Sequence, residues 1–213
     1  MDVSTEATAR PGFALAVAVA SLGGLPVISG MVAGLPATFP VPLLIMQHGR
    51  PGPERDRMAR LLQRRAALPV RTAEGGMRVF TPGITVIPGG FTATVTADGR
   101  LDLTQSDQLG GDQLMATAAA AAPGRVIGVV LSGMLRDGSE GTRAIKRHGG
   151  WVLAQDPATA RAPGMPSSAM ATGCVDYVLP AHRLATALIA LTMAPGAAEL
   201  FTVSLPHWAS TGA

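Results

Sequence analysis

The sequence predicts an α/β fold: a doubly wound, mostly parallel sheet with helices on both faces and a small antiparallel hairpin. Three observations carry this expectation. Short apolar runs alternate with helical stretches of roughly ten to fifteen residues, the pattern of βαβ units. The runs at 13–20, 41–46 and 126–131 are apolar almost throughout, which suits strands buried on both faces rather than strands with one wet side. The exception is Asp98-Gly99, which sits between 92–96 and 101–104 and is a strong two-residue hairpin signal.

The elements follow in order. Residues 1–12 read as an N-terminal tail, 13–193 as one domain and 194–213 as a C-terminal tail. The first strand is 13–20, and the helix 25–35 starts just after Gly23-Gly24. A loop at 36–40 leads to a strand at 41–46. Residues 55–65 form an amphipathic helix with Met58, Leu61 and Leu62 on one stripe. Short strands follow at 69–72 and 84–87, the latter closed by Pro88-Gly89-Gly90, and then the hairpin. The Ala-rich stretch 108–122 is a helix stopped by Pro123-Gly124. A buried strand at 126–131, a helix at 138–147 ending on Gly149-Gly150, and a strand at 151–154 come next. The helix 166–172 ends at Gly173, followed by a strand at 175–179 and a last helix at 182–193.

Composition narrows the function. The chain has 213 residues, 47% of them hydrophobic, enough for one sizeable core. Its longest apolar run, 13–20, is too short to span a bilayer, and the residues before it lack a cationic signal-peptide start, so no membrane insertion is expected. A single cysteine, Cys174, excludes an internal disulfide framework and fits a reducing cytoplasm. It reads as a small buried hydrophobe. The net charge of +3 is mild and aromatics make up 4%, which argues against a nucleic-acid stacking platform. The arginines between 50 and 65 read as the solvated face of a helix. The histidines show no ligand spacing and there is no nucleotide-phosphate motif, so neither a metal nor a cofactor is expected.

Three segments carry candidate chemistry, each at the end of a predicted strand. They are Ala20-Ser21-Leu22-Gly23-Gly24, Met46-Gln47-His48 and Gly133-Met134-Leu135-Arg136-Asp137-Gly138. Strand ends meet at the ligand crevice of an open α/β sheet. Taken singly, Ser21 is a good helix N-cap, His48 a polar strand-end residue and Asp137 a turn or cap. Together they offer a hydroxyl, an imidazole and a carboxylate, and such triads are recognised by role rather than by chain order. Ser21 would be the nucleophile, His48 its base and Asp137 the group that orients the imidazole. The N–H of Leu22, at a helix N-terminus, is a candidate oxyanion donor. Gly23 and Gly24 allow a sharp turn and close approach of a substrate. His148, His182 and His207 read as surface or cap residues.

Order and spacing together make the chain resemble the catalytic domain of chemotaxis protein-glutamate methylesterases. The resemblance runs over about 13–193. It rests on Ala20-Ser21-x-Gly23-Gly24, Gln47-His48-x-x-Pro51-Gly52, Pro82-Gly83-x-x-x-Val86-Ile87-Pro88-Gly89 and Ser132-Gly133-Met134-x-x-Asp137-Gly138-x-x-Gly141. Ala154-Gln155-Asp156, Gly164-Met165-Pro166-x-x-Ala169 and Val175-Asp176 add to it. The resemblance implies a Ser21–His48–Asp137 triad that hydrolyses γ-glutamyl methyl esters, with glutamine deamidation as a second activity, and Met134 as a second oxyanion donor. The implied partner is a methylated chemoreceptor or another protein ester in the cytoplasm. The family usually carries a receiver domain ahead of the catalytic domain. Here about twelve residues precede the first strand. The expectation is therefore a free-standing domain, active without its own phosphorylation, with a regulatory protein in trans as a further partner.

The chain departs from the family pattern at its recognition surface. Leu22 stands where a Thr is usual, 106–111 lacks the usual Arg-Pro-Ser stretch, and Pro88-Gly89-Gly90-Phe91 replaces a more polar pattern. Two alternatives therefore stay open: a serine esterase for another carboxyl ester, and a non-catalytic regulatory module. The altered groove favours the former, and the intact triad argues against the latter.

Overall fold

A computed structural model describes residues 12–194 except Pro51 and Pro53. Both tails up to those limits, and His207, lie outside the described residues. In chain order the elements are β1 (Leu15–Ala20), α1 (Gly24–Ala33), β2 (Leu43–Gln47), α2 (Arg57–Gln63), β3 (Val70–Thr72), β4 (Ile84–Ile87), β5 (Phe91–Val95) and β6 (Leu101–Gln105). There follow α3 (Gly111–Ala121), β7 (Val126–Val130), α4 (Ser139–Arg147), β8 (Trp151–Gln155), α5 (Gly164–Met170), β9 (Tyr177–Leu179) and α6 (Leu184–Met193).

Seven strands form one wholly parallel sheet in the order β3-β4-β2-β1-β7-β8-β9. From β1 the chain winds outward through β2, then returns to β7 on the other side of β1. The order reverses between these strands, so the ends of β1 and β7 bracket the crevice of a doubly wound fold. The apolar runs are continuous because both faces are covered. Ala16, Ala18 and Ala20 of β1 meet Ile28, Met31 and Val32 of α1, Leu62 of α2 and Leu184 and Leu188 of α6. Leu15, Val17 and Val19 alternate to the other face, against Leu114, Met115 and Ala118 of α3, Ile145 of α4 and Met165 of α5. All six β1 side chains are fully buried.

The structure corrects several expected boundaries. The hairpin β5–β6 is antiparallel as expected and forms a two-stranded sheet of its own, beside the main sheet. The free side of β4 is already taken by β3 in parallel, and Val95 N–H donates instead to Thr117 Oγ1 of α3 at 3.0 Å. Helix α3 starts at Gly111, so Gln108 and Leu109 are exposed loop residues. Its start is set by the side chain of Asp137, as described below. Helix α5 begins two residues before Pro166, which is tolerated in a first turn. Val175 precedes β9, and a 3-10 turn over Ala181–Arg183 precedes α6. On α2, Ala59 and Leu62 are buried while Leu61 points outward, which narrows the expected stripe. Cys174 is half-buried rather than buried. His148 caps α4 through Nδ1 on Ala144 O at 2.9 Å, and His182 is exposed.

This burial pattern predicts the cost of truncation. Leu114→Ala should destabilise by about 2–5 kcal/mol, whereas Leu61→Ala should stay within about 0.5 kcal/mol. Urea unfolding followed by circular dichroism checks both.

Candidate active site

Ser21 leaves the end of β1 and His48 the end of the neighbouring β2. The register pairs Ala20 with Gln47, so the two residues follow the same rung of a parallel ladder. His48 N–H donates to Ala20 O at 2.9 Å and closes that rung. The chain then turns sharply into α1 through Gly23, whose φ of 80° lies in the left-handed region where a side chain would be strained. The turn is held by neighbouring strand ends. Ser21 N–H donates to Ser132 O at 2.9 Å, Gln47 Nε2 donates to Ser21 O at 2.5 Å, and Ser132 Oγ donates to Leu22 O at 2.8 Å. Ser132 is fixed in turn by the buried Gln155, whose Oε1 accepts Ser132 N–H at 2.9 Å. Ser21 is not the cap that it would be if taken singly: the N-cap of α1 is Gly23, and no side chain caps it. Among the described residues the Ser21 hydroxyl has no hydrogen-bond partner, and neither do the N–H groups of Leu22 and Met134.

His48 meets Asp137 directly. Nε2 lies 2.7 Å from Asp137 Oδ2, with side-chain exposures of 12% and 4%. The approach is oblique, since Nε2 has no partner at a good hydrogen-bond angle. Misaligned contacts of this kind are common in unliganded catalytic sites. The carboxylate itself is firmly held. Asp137 Oδ2 accepts Gly111 N–H and Oδ1 accepts Asp112 N–H, each at 2.8 Å. Asp137 thus satisfies the free N–H groups at the start of α3, where the helix dipole also favours an anion. Asp112 returns the arrangement: its Oδ1 accepts Gly138 N–H at 2.9 Å and Gly141 N–H at 2.7 Å at the start of α4. Close packing requires glycine at 111, because a Cβ there would sit 2.5 Å from Asp137 Oδ2.

The two carboxylates titrate in opposite directions. Burial would raise the pKa of Asp137, but His48 and the N–H groups of Asp112 and Gly111 outweigh it, and the carboxyl falls below its ordinary 3.8. Burial dominates at Asp112. Helped by the charge of Asp137, it raises that carboxyl above 3.8 against the N–H groups of Gly141 and Gly138.

Beside His48 opens a cleft of about 620 Å³ lined by Gln47, His48, Arg50, Phe91, Asp107 and Leu109 among others. Arg55 lies over the Phe91 ring, 4.7 Å from its centroid. Exposed apolar side chains form a rim at these strand ends: Leu109 in the cleft lining is 48% exposed, Leu22 next to Ser21 47%, and Met134 next to Gly133 57%. Gly133 lies against the Ser21 turn, and a Cβ there would come within 2.9 Å of Ser21 Cβ. Leu135, next to Met134, takes a left-handed φ of 69°, which costs a non-glycine residue of order 1 kcal/mol.

The structure therefore brings His48 and Asp137 into contact and sets Ser21, Leu22, Gly23, Gly24 and Met134 around the same crevice mouth. Sequence reasoning assigned no role to Gln47, Ser132, Gln155 or Asp112. Three of these carried a signal: Gln47, Ser132 and Gln155 are polar residues closing otherwise apolar strands. Among the described residues, no group of three or more His, Cys, Asp or Glu is arranged to hold a metal ion.

Comparison with known proteins agrees with this geometry. Residues 16–188 match the family model of the CheB methylesterase. The protein-glutamate methylesterase FrzG of Myxococcus xanthus is 34% identical over 193 residues, covering 88% of this chain and 58% of that protein. A protein-glutamate methylesterase/protein-glutamine glutaminase of Anaeromyxobacter dehalogenans is 39% identical over 184 residues, covering 83% of this chain and 53% of that protein. The crystal structure of the Thermotoga maritima CheB methylesterase catalytic domain superposes with a TM-score of 0.77 at 33% identity, covering 84% of this chain and 98% of that one. The chain spans about half the length of the curated relatives it matches. It belongs to the CheB methylesterase family.

The opposed titrations predict how acid acts on stability. Asp137, with a depressed folded pKa, contributes stability above its unfolded value near 3.8 and loses it as pH falls through the folded value. Asp112, with a raised folded pKa, opposes that loss, because its penalty fades as it is protonated. Between about pH 5 and about pH 3, Asp137→Asn should lose less stability than the wild type and Asp112→Asn more. Chemical denaturation at stepped pH reads the order.

Proposed function

We propose, starting from that membership, that this chain is a cytoplasmic serine hydrolase acting on γ-glutamyl methyl esters of a chemoreceptor-like protein. The observation that carries the reading is the 2.7 Å approach of His48 Nε2 to Asp137 Oδ2 at the end of the strand beside Ser21. With its Nε2–H turned to Asp137, the imidazole keeps the Nδ1 lone pair for the Ser21 hydroxyl. Ser21 Oγ attacks the ester carbonyl while Nδ1 takes its proton, and Asp137 stabilises the imidazolium. The unpartnered N–H groups of Leu22 and Met134 are the oxyanion donors, the first backed by the dipole of α1. Collapse of the tetrahedral intermediate expels the methoxy group, which takes the proton from His48 and departs as methanol. Water then attacks the acyl-enzyme, His48 accepts its proton and returns it to Ser21 Oγ, and the glutamate carboxylate is released. With a glutamine side chain the same steps expel ammonia.

A protein substrate is supported by the relatives, which are protein-glutamate methylesterases. Arg50 in the cleft lining and Arg55 on the Phe91 ring, set against Asp107 on the same wall, offer contacts to an acidic partner. Among the described residues no helix is long and apolar enough to cross a membrane. The apolar rim favours a second reading, turnover of a small hydrophobic ester, because Leu22 offers no hydroxyl to a polar substrate. A regulatory protein acting in trans would meet the same rim.

Methanol release from a methylated receptor, compared with hydrolysis of a short acyl ester, tests the proposal. Detectable methanol release is expected, and turnover of the small ester alone would move the chain to the second reading. Ser21→Ala should lower kcat by about 10⁴-fold or more with little change in stability, since this hydroxyl caps no helix. Equal activity of mutant and wild type rules Ser21 out as nucleophile. Leu22→Thr should raise the ratio of kcat/KM for receptor over small ester.

A further inference from the structure

We infer that Asp112 is a positioning residue for this hydrolysis, fixing the carboxylate of Asp137 and biasing the His48–Asp137 pair by its charge. The inference rests on the reading that Ser21, His48 and Asp137 cleave an ester. Asp112 reaches neither His48 nor the cleft. It holds the peptide that follows Asp137, because Gly138 N–H donates to Asp112 Oδ1 at 2.9 Å. Asp112 N–H in turn donates to Asp137 Oδ1 at 2.8 Å, so the two residues close a ring through one backbone bond and two hydrogen bonds. Gly141 N–H adds a third contact on the same Asp112 oxygen at 2.7 Å.

The packing is built around this ring. Gly111 leaves room for Asp137 Oδ2, as described above, and a Cβ at Gly141 would come within 3.2 Å of Asp112 Cα. With both helix starts anchored, Asp137 has no free direction in which to turn from His48.

The charged groups around the ring are few. Asp137 and His48 belong to it. Arg50 and Asp107 stand on the cleft wall, Arg136 is exposed, and Glu140 pairs with Arg143 on the exposed side of α4. Among the described residues none of these five side chains bonds to Asp112. The negative charge of Asp112 therefore acts chiefly on the catalytic pair, where it favours the imidazolium.

Two substitutions separate position from charge. Asp112→Ala removes the acceptor. Asp112→Asn keeps one carbonyl oxygen for Gly138 and Gly141 but removes the charge. The pH dependence of kcat and KM is measured for the full chain and both variants on whichever ester the wild type hydrolyses. The amide resonance and exchange rate of Gly111 are followed in parallel as a readout that does not require turnover. Asp112→Ala should lower kcat about 10- to 100-fold, keep KM within about twofold, and shift and deprotect the Gly111 amide. Asp112→Asn should recover most of kcat and move the acid limb of kcat/KM to lower pH. The inference is overturned if Asp112→Ala lowers only the melting temperature, if Asp112→Asn performs no better than Asp112→Ala, or if the acid limb of Asp112→Asn stays in place. Should the wild type hydrolyse no ester, the proposed function fails separately. The exchange rate of the Gly111 amide, which donates to Asp137 Oδ2, then decides alone: faster exchange in Asp112→Ala at unchanged global stability upholds the positioning of Asp137, and an unchanged rate overturns it.

Discussion

Helices α3 and α4 each begin on a carboxylate supplied by the other: Asp137 accepts the first N–H groups of α3, and Asp112 accepts those of α4. A hydrogen bond to a charged group contributes about 1.5–3 kcal/mol, and four of them act here. Against them stand the burial of two carboxylates and their mutual repulsion. The balance differs at the two ends. At Asp137 the donors and His48 prevail, and the acid is held ionised. At Asp112 burial and the neighbouring charge prevail, and the carboxyl is raised. The group that faces the imidazole is therefore the stabilised anion, and its partner carries the penalty.

The third helix start in the crevice is treated differently. Helix α1 has no side-chain cap, and its turn is instead pinned through its carbonyls by Gln47 and Ser132. The N–H of Leu22 has no protein partner among the described residues. A helix N-terminus with a free donor beside a serine stabilises an oxyanion that forms there. Two of the three helix starts thus hold carboxylates, and the remaining one has no side-chain cap. The reversal of strand order between β1 and β7 brings them to one place.

Much of this was legible in the sequence, because it rests on patterns of short range. Unbroken apolar runs report strands buried on both faces, and the residues that end them mark the crevice. Ser21, His48 and Asp137 were picked out in this way as candidates, of which the structure brings His48 and Asp137 into contact, and Asp98-Gly99 marked the hairpin. What was missed depends on contacts across the chain. The start of α3 at Gly111 is set by a carboxylate 26 residues later, which no local propensity reports. The detached hairpin follows from β3 occupying the side of β4, a matter of strand order. Leu61 was placed on the buried stripe of α2 because its spacing fits, yet α2 is short and buries only Ala59 and Leu62. Asp112 carried no assignment, because the contacts it makes depend on where α4 begins.

The central claim is that these strand ends form one hydrolytic site in which Asp137 and His48 activate Ser21. Covalent trapping tests it most directly. The folded chain is treated with a fluorophosphonate ester, which phosphonylates an activated serine, and the product is mapped by mass spectrometry. The account predicts a single adduct on Ser21, formed far more slowly when His48 is replaced by Gln. An adduct on another residue, or labelling of Ser21 at the same rate without His48, would contradict it.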